Sequence, residues 1–136
     1  MASLRRNKSD GLDIKEVRIA PANRKRTVWA YLVMWEFQVR AGMESRFEKV
    51  YGSKGDWARF FAQDGSYIRT ELIHNLRAKD SKGERTYVTL DFWTSQKAYA
   101  EFRKQHLAKY KALDRKCEDL TESEREIGRF ARVSNK

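Results

Sequence analysis

One strand pattern joined to one helix pattern by a single cap, over residues 85–120 (RTYVTLDFWTSQKAYAEFRKQHLAKYKALDRKCEDL), constrains this chain more than any other stretch. Residues 86–93 are mostly β-branched or aromatic, and period two puts Tyr87, Thr89, Asp91 and Trp93 on one face, with Val88, Leu90 and Phe92 on the other. The second face is purely apolar. The first sets a carboxylate among aromatic rings, so it is expected to meet water or a pocket rather than a dry core. Thr94 or Ser95 then offers a side-chain oxygen to the first free amides of a helix. Tyr99, Phe102, His106, Tyr110, Leu113, Cys117 and Leu120 recur at three- and four-residue steps, which predicts one continuous stripe laid against the sheet.

The other elements read as cover for this unit. Residues 28–40 (VWAYLVMWEFQVR) alternate as a strand, with Tyr31, Val33, Trp35, Phe37 and Val39 on the core face and Leu32, Met34, Glu36 and Gln38 opposite. Ala41-Gly42 ends it. Met43, Phe47, Val50 and Tyr51 have helical spacing, Gly52 stops that helix, and Asp56 is placed to cap a restart that buries Trp57, Phe60 and Phe61. After the Asp64-Gly65 turn signal a second strand sets Tyr67, Arg69, Glu71 and Ile73 against Ile68, Thr70, Leu72 and His74. Residues 77–83 (RAKDSKG) read as a hairpin loop into the 86–93 strand. Thr121 and Glu124 have capping-box spacing, which predicts a helical turn at TESEREIG, with RFARV after Gly128 as a short last strand.

The order β, α, β, β, α, β is that of an α+β ferredoxin-like domain, an antiparallel sheet with its helices on one face. Its other face is left apolar, and the economical cover is the same face of a second copy. A sheet-to-sheet homodimer is therefore expected.

Composition enters through charge. The chain has 136 residues and a formal net charge of +10, enough length for one domain with a sizeable core. Residues 1–28 hold eight Lys and Arg against three acids, so half the excess sits at one end. Residues 1–27 read as a basic arm ahead of a single domain over 28–136. The domain's own charges are interspersed and lack the single-sign stripe of a nucleic-acid-tracking face. The cluster Arg24, Lys25, Arg26 is the place for polyanion contact, which gives the alternative reading of a binding module that uses its arm. A lone cysteine, Cys117, on the buried stripe reads as a small hydrophobe and fits a reducing, cytoplasmic setting. No apolar run of membrane-spanning length and no leader-like segment is seen. Two histidines and one cysteine without ligand spacing argue against a structural zinc site, and GSKGD lacks the context of a phosphate loop. No metal or cofactor is expected.

The strand VMWEFQV, the strand-turn-helix TLDFWTSQKAYAEF and this element order make the chain similar to the antibiotic-biosynthesis-monooxygenase (ABM) superfamily of dimeric α+β-barrel proteins, over about residues 29–133. The resemblance implies a homodimer and a pocket between sheet and helices in each subunit. Some relatives use that pocket to oxidise aromatic polyketides with oxygen and no cofactor, and others to open haem. Trp93 matches the pocket tryptophan of both branches. His106 stands only loosely for a haem-ligating histidine, and Met34, Trp35 and Glu36 lie where the haem branch has an asparagine, which counts against haem.

From strand faces and helix stripe, the pocket candidates are Trp35, Tyr67, Arg69, Glu71, Asp91, Trp93, His106 and Tyr110. If Glu71 and Asp91 share a face, two carboxylates beside aromatic walls raise one pKa and make a base for a phenol or carbon acid, with His106 as the other candidate base. The remaining five would hold a small flat aromatic ligand. The bland alternative is that Arg69 pairs with a carboxylate, His106 is a hydrogen-bonded core histidine, and the aromatics are core mass.

Overall fold

The alternating pattern that opens the domain forms β1 (Tyr31–Val39), and its core-face residues Tyr31, Val33, Phe37 and Val39 are all buried. The structure, a computed structural model, describes residues 28–76 and 85–134; the basic arm and the loop at 77–83 lie outside them. After β1 the chain turns at Gly42, whose φ of 87° is the left-handed conformation that favours glycine. It then forms α1 (Glu44–Tyr51) and α2 (Asp56–Phe61). Gly55 joins the two helices so tightly that a Cβ there would stand 2.3 Å from the Val50 carbonyl oxygen. Gly55 is also the N-cap of α2. Asp56, expected in that role, instead pairs with Arg59 at 3.1 Å one turn on.

Next come β2 (Tyr67–His74), β3 (Thr86–Trp93), α3 (Gln96–Gln105), α4 (Leu107–Lys116), a 3-10 turn (Glu118–Leu120) and β4 (Thr121–Ala131). The Ser95 hydroxyl caps α3 as the sequence indicates, accepting a hydrogen bond from the Ala98 amide at 3.0 Å. Two expectations are corrected. The long helix breaks at His106 (φ −115°, ψ 27°) although no proline or glycine marks the place, and the His106 ring stays packed on Phe102. The TESEREIG segment is strand rather than a capped turn. A ladder with β1 from Val39↔Thr121 to Tyr31↔Ala131, interrupted by bulges at Glu122 and Ile127, pairs most of this eleven-residue strand, and that outweighs what one capped turn offers.

The sheet has the order β2-β3-β1-β4, with every neighbouring pair antiparallel. This is the ferredoxin-like α+β arrangement. In register, Tyr31 faces Trp93, Val33 faces Asp91, Trp35 faces Thr89 and Phe37 faces Tyr87, so the mixed face of β3 lies with the core face of β1 under the helices. Phe47, Tyr51, Trp57, Phe61, Tyr99 and Phe102 pack onto that side to make one core cluster. Leu32, Met34, Val88, Leu90 and Phe92 point to the opposite face, together with Ile73 and Phe130, which are 47% and 42% exposed.

β2 decides the fate of the second carboxylate. Its register slips between Tyr67 and Arg69: Tyr67 pairs with Trp93, Arg69 with Phe92 and Thr70 with Asp91. A bulge of one residue moves everything beyond it to the other face. Tyr67 and Thr70 therefore both lie on the helix side, while Arg69 and Glu71 lie on the outer side. Glu71 and Asp91 do not share a face.

Candidate functional site

Between the sheet and its helices lies a cavity of about 340 Å³. Its floor is polar, formed by Thr70 of β2 with Thr89 and Asp91 of β3. Its walls are Trp35 and Phe37 of β1, Tyr51 of α1, and Trp57 and Phe61 of α2. Tyr99 and Arg103 of α3, Tyr110 and Asp114 of α4, and Glu124, Glu126 and Arg129 of β4 complete it. The volume and the mix of flat apolar walls with a few polar groups suit one small aromatic molecule.

Asp91 is the chemically distinctive member. It is 8% exposed, and its carboxylate Oδ1 accepts a hydrogen bond from Thr70 Oγ1 at 2.6 Å. Thr70 in turn accepts from the Tyr67 hydroxyl at 2.7 Å, so Tyr67, Thr70 and Asp91 form a chain running from the core to the cavity floor. Burial pushes the Asp91 carboxyl up to about 7, against the lowering effect of the Thr70 bond, since taking a carboxylate from water disfavours its charged form. Near neutral pH it is thus divided between acid and base. The neighbouring phenols move the other way from usefulness as bases. Burial raises Tyr67 to about 12 and holds Tyr51, Tyr99 and Tyr110 above the usual tyrosine value, so all four stay protonated.

Thr70→Val, which keeps shape and removes the donor, is expected to move the Asp91 titration upward by about one pH unit, because a hydrogen bond to a charged group is worth roughly 1.5–3 kcal/mol. Following the Asp91 side-chain carboxyl by NMR checks this; an unmoved midpoint would show that Thr70 does not hold the carboxylate.

Of the sequence candidates, Trp35, Asp91 and Tyr110 line the cavity. Tyr67 stands one hydrogen bond behind it. Trp93 is fully buried behind the cavity wall, ringed by Phe61, Tyr67, Tyr99 and Phe102 at centroid distances of 5.2–5.4 Å. Arg69 and Glu71 form an exposed ion pair with each other at 2.7 Å, and Arg69 covers the Phe92 ring at 4.1 Å on the outer face. His106 sits at the break between α3 and α4, against Phe102 at 4.5 Å and Phe60 at 6.2 Å, and does not line the cavity. The residues do not fit haem, whose helix histidine would have to be His106. Among the described residues no group of three His, Cys, Asp or Glu is arranged to hold a metal ion, and no helix is long and apolar enough to cross a membrane.

Sequence reasoning missed Thr70, Thr89 and the charged group Arg103, Asp114, Glu124, Glu126 and Arg129. A signal existed for Arg103: it lies four residues after Tyr99 and seven before Tyr110, on the same helical stripe. The β4 residues were hidden once their segment was read as a helical turn.

Fold and cavity together define a ferredoxin-like α+β protein with a ligand-sized space under its helices. Solved structures share the fold. SnoaB, a cofactor-independent oxygenase from Streptomyces nogalater, superposes with a TM-score of 0.53 at 21% identity, over 79% of this chain and 97% of its own. A dimeric ferredoxin-like protein from an uncultured marine organism gives 0.53 at 15% identity, over 83% and 96%. A protein from Pseudomonas aeruginosa gives 0.52 at 10% identity, over 79% and 98%. No protein-family model and no curated protein matches the sequence.

Proposed function

We propose that the cavity binds one flat phenolic or quinonoid aromatic molecule and that Asp91 takes the phenolic proton, so that the ring reacts directly with molecular oxygen. The observation that carries this reading is a buried carboxyl, pushed up to about 7 by its burial, at the floor of a cavity walled by Trp35, Trp57, Tyr99 and Tyr110. A base poised near the working pH is what proton removal from a phenol needs. Removing the proton makes the ring carbon para to the oxygen electron-rich. That carbon gives two electrons to O2 and bonds to it, and loss of the carbon's hydrogen with one water leaves a quinone. One O2 is consumed and one water is formed, with no further reductant. The same fold in a cofactor-independent oxygenase supports the reading.

The test is a thermal-shift screen of naphthols, quinones and haem, followed by oxygen uptake on each compound that stabilises the protein. Stabilisation by a naphthol with oxygen uptake is expected. Binding without uptake would leave a ligand-binding protein and no enzyme, and no binding by any aromatic would remove the reading.

The functional unit in this proposal is a homodimer joined through the outer sheet face. Met34, Val88 and Leu90, which are half-buried, form with the exposed Ile73 and Phe130 an apolar patch there that no helix of the described chain covers, and a solved protein of this fold is dimeric. Sedimentation at micromolar concentration is expected to give about twice 16.1 kDa. Leu90→Glu is expected to dissociate or unfold the dimer, because a buried unpaired charge costs several kcal/mol. A wild-type monomer would sink this part.

A further inference from the structure

We infer that Arg103 is an anion-recognition group, and that the molecule taken by the cavity carries an anionic oxygen group, a carboxylate or an ionised acidic enol, on its aromatic frame. The inference rests on reading the cavity as an aromatic-ligand site and adds the charge of the ligand to it.

Arg59, Arg69, Arg125 and Arg129 are exposed, Arg85 is partly buried, and each has a carboxylate within 3.4 Å; Arg40, Arg46, Arg115 and Arg132 have none among the described residues but are exposed to solvent. Arg103 is partly buried on the cavity wall and, among the described residues, has no carboxylate at ion-pair distance. Its Nη1 donates to the Tyr99 hydroxyl at 3.0 Å, its guanidinium carbon stands 4.0 Å from the centre of the Tyr110 ring, and its Nε is buried with no acceptor.

Tyr99 stays protonated, so neither tyrosine supplies a counterion. The ring faces recover part of the lost solvation of the cation, and they do so without neutralising it. What they add is orientation. A guanidinium held by a hydroxyl at one nitrogen and a ring at its face is a planar fork fixed before any ligand arrives, which suits an oxyanion better than a mobile lysine would.

The other cavity charges do not perform this role. Arg129 is already engaged by Glu126 at 3.0 and 3.2 Å through two nitrogens. Asp114 and Glu124 line the same space yet do not pair with Arg103. Among the described residues, Arg103 is thus the one guanidinium of the lining that no carboxylate engages; Asp91, Asp114 and Glu124 also line the cavity without an ion-pair partner, so the anionic group of an aromatic acid is expected to be drawn to the Arg103 fork and nowhere else in it.

The experiment compares 1-hydroxy-2-naphthoate with its uncharged amide, titrated into the full-length protein near pH 8, where a carboxylic acid is fully ionised. Tryptophan fluorescence or calorimetry gives both dissociation constants. The acid is expected to bind at least about tenfold more tightly than the amide, a difference of about 1.4 kcal/mol. In Arg103→Met this preference is expected to vanish through loss of affinity for the acid alone, while Arg59→Gln, at an exposed arginine outside the cavity, keeps it. Equal binding of acid and amide by the wild type overturns the role of Arg103 and leaves the aromatic site standing, as does a preference that survives Arg103→Met. Binding of neither overturns both. The wild-type comparison needs no variant, so it decides the matter even if Arg103→Met fails to fold.

Discussion

Asp91→Asn is expected to slow oxygen consumption with a naphthol by about 10²–10⁴-fold, the usual contribution of a positioned general base, and at the same time to make the protein more stable near pH 8. The two effects have one cause. In the unfolded chain the carboxyl ionises at its ordinary 3.8, whereas in the folded protein burial pushes it up to about 7. Between those values the folded state holds a proton that the unfolded state has lost, so stability falls as pH rises through the window and levels off above about 7. At 1.36 kcal/mol per pH unit the loss is on the order of 4 kcal/mol. Asparagine has the same shape, can still accept the Thr70 hydrogen bond and carries no charge, so the slope should disappear. Urea unfolding of both proteins near pH 5 and pH 8 measures it. A wild type equally stable at both values, or a variant that keeps full turnover, would contradict the assignment.

Trp93→Ala is expected to cost about 3–5 kcal/mol of stability, the range for removing a large buried aromatic side chain. Trp93 is fully buried, touches four other rings, and its Nε1 has no hydrogen-bond partner, so the loss is one of packing and not of polar contacts. At roughly 4–8 °C per kcal/mol for a domain of this size, melting should fall by more than ten degrees. Trp93→Phe is expected to retain most of that stability and to bind ligand normally, since Trp93 reaches the cavity only through the wall residues Phe61 and Tyr99. A thermal melt that shifts by less than a few degrees in Trp93→Ala would show that the core is not centred on this ring.

Why some of this was legible in the sequence and some not follows from how each strand is built. β1 and β3 run straight, so period two alone places Asp91 on the face of Val33 and Trp35, and the pocket side of the sheet is readable from residue types. β2 carries a bulge between Tyr67 and Arg69 that no glycine or proline announces. Simple alternation therefore puts Glu71 and Arg69 in the pocket, whereas the register sends Thr70 there. In β4 the local capping signal at Thr121 and Glu124 competed with a ladder to β1 that is invisible without the partner strand. Ionisable residues were found where a strand gave a straight ruler, and missed where one extra residue or a distant partner reset it. Arg103 and Asp114 are the exceptions: their helical spacing from Tyr99 and Tyr110 was readable, but a charge on an aromatic stripe reads first as a solvated edge.

The proposed chemistry turns on a carboxyl that burial pushes up to about 7 at the cavity floor. The most direct measurement is an NMR titration of the Asp91 side-chain carboxyl carbon in the full-length protein, repeated with 1-hydroxy-2-naphthoate bound. A midpoint near 7 that moves when the ligand binds is the predicted result. A midpoint near the ordinary 3.8, unmoved by ligand, would mean that Asp91 is a solvated surface acid and not the base of an aromatic site.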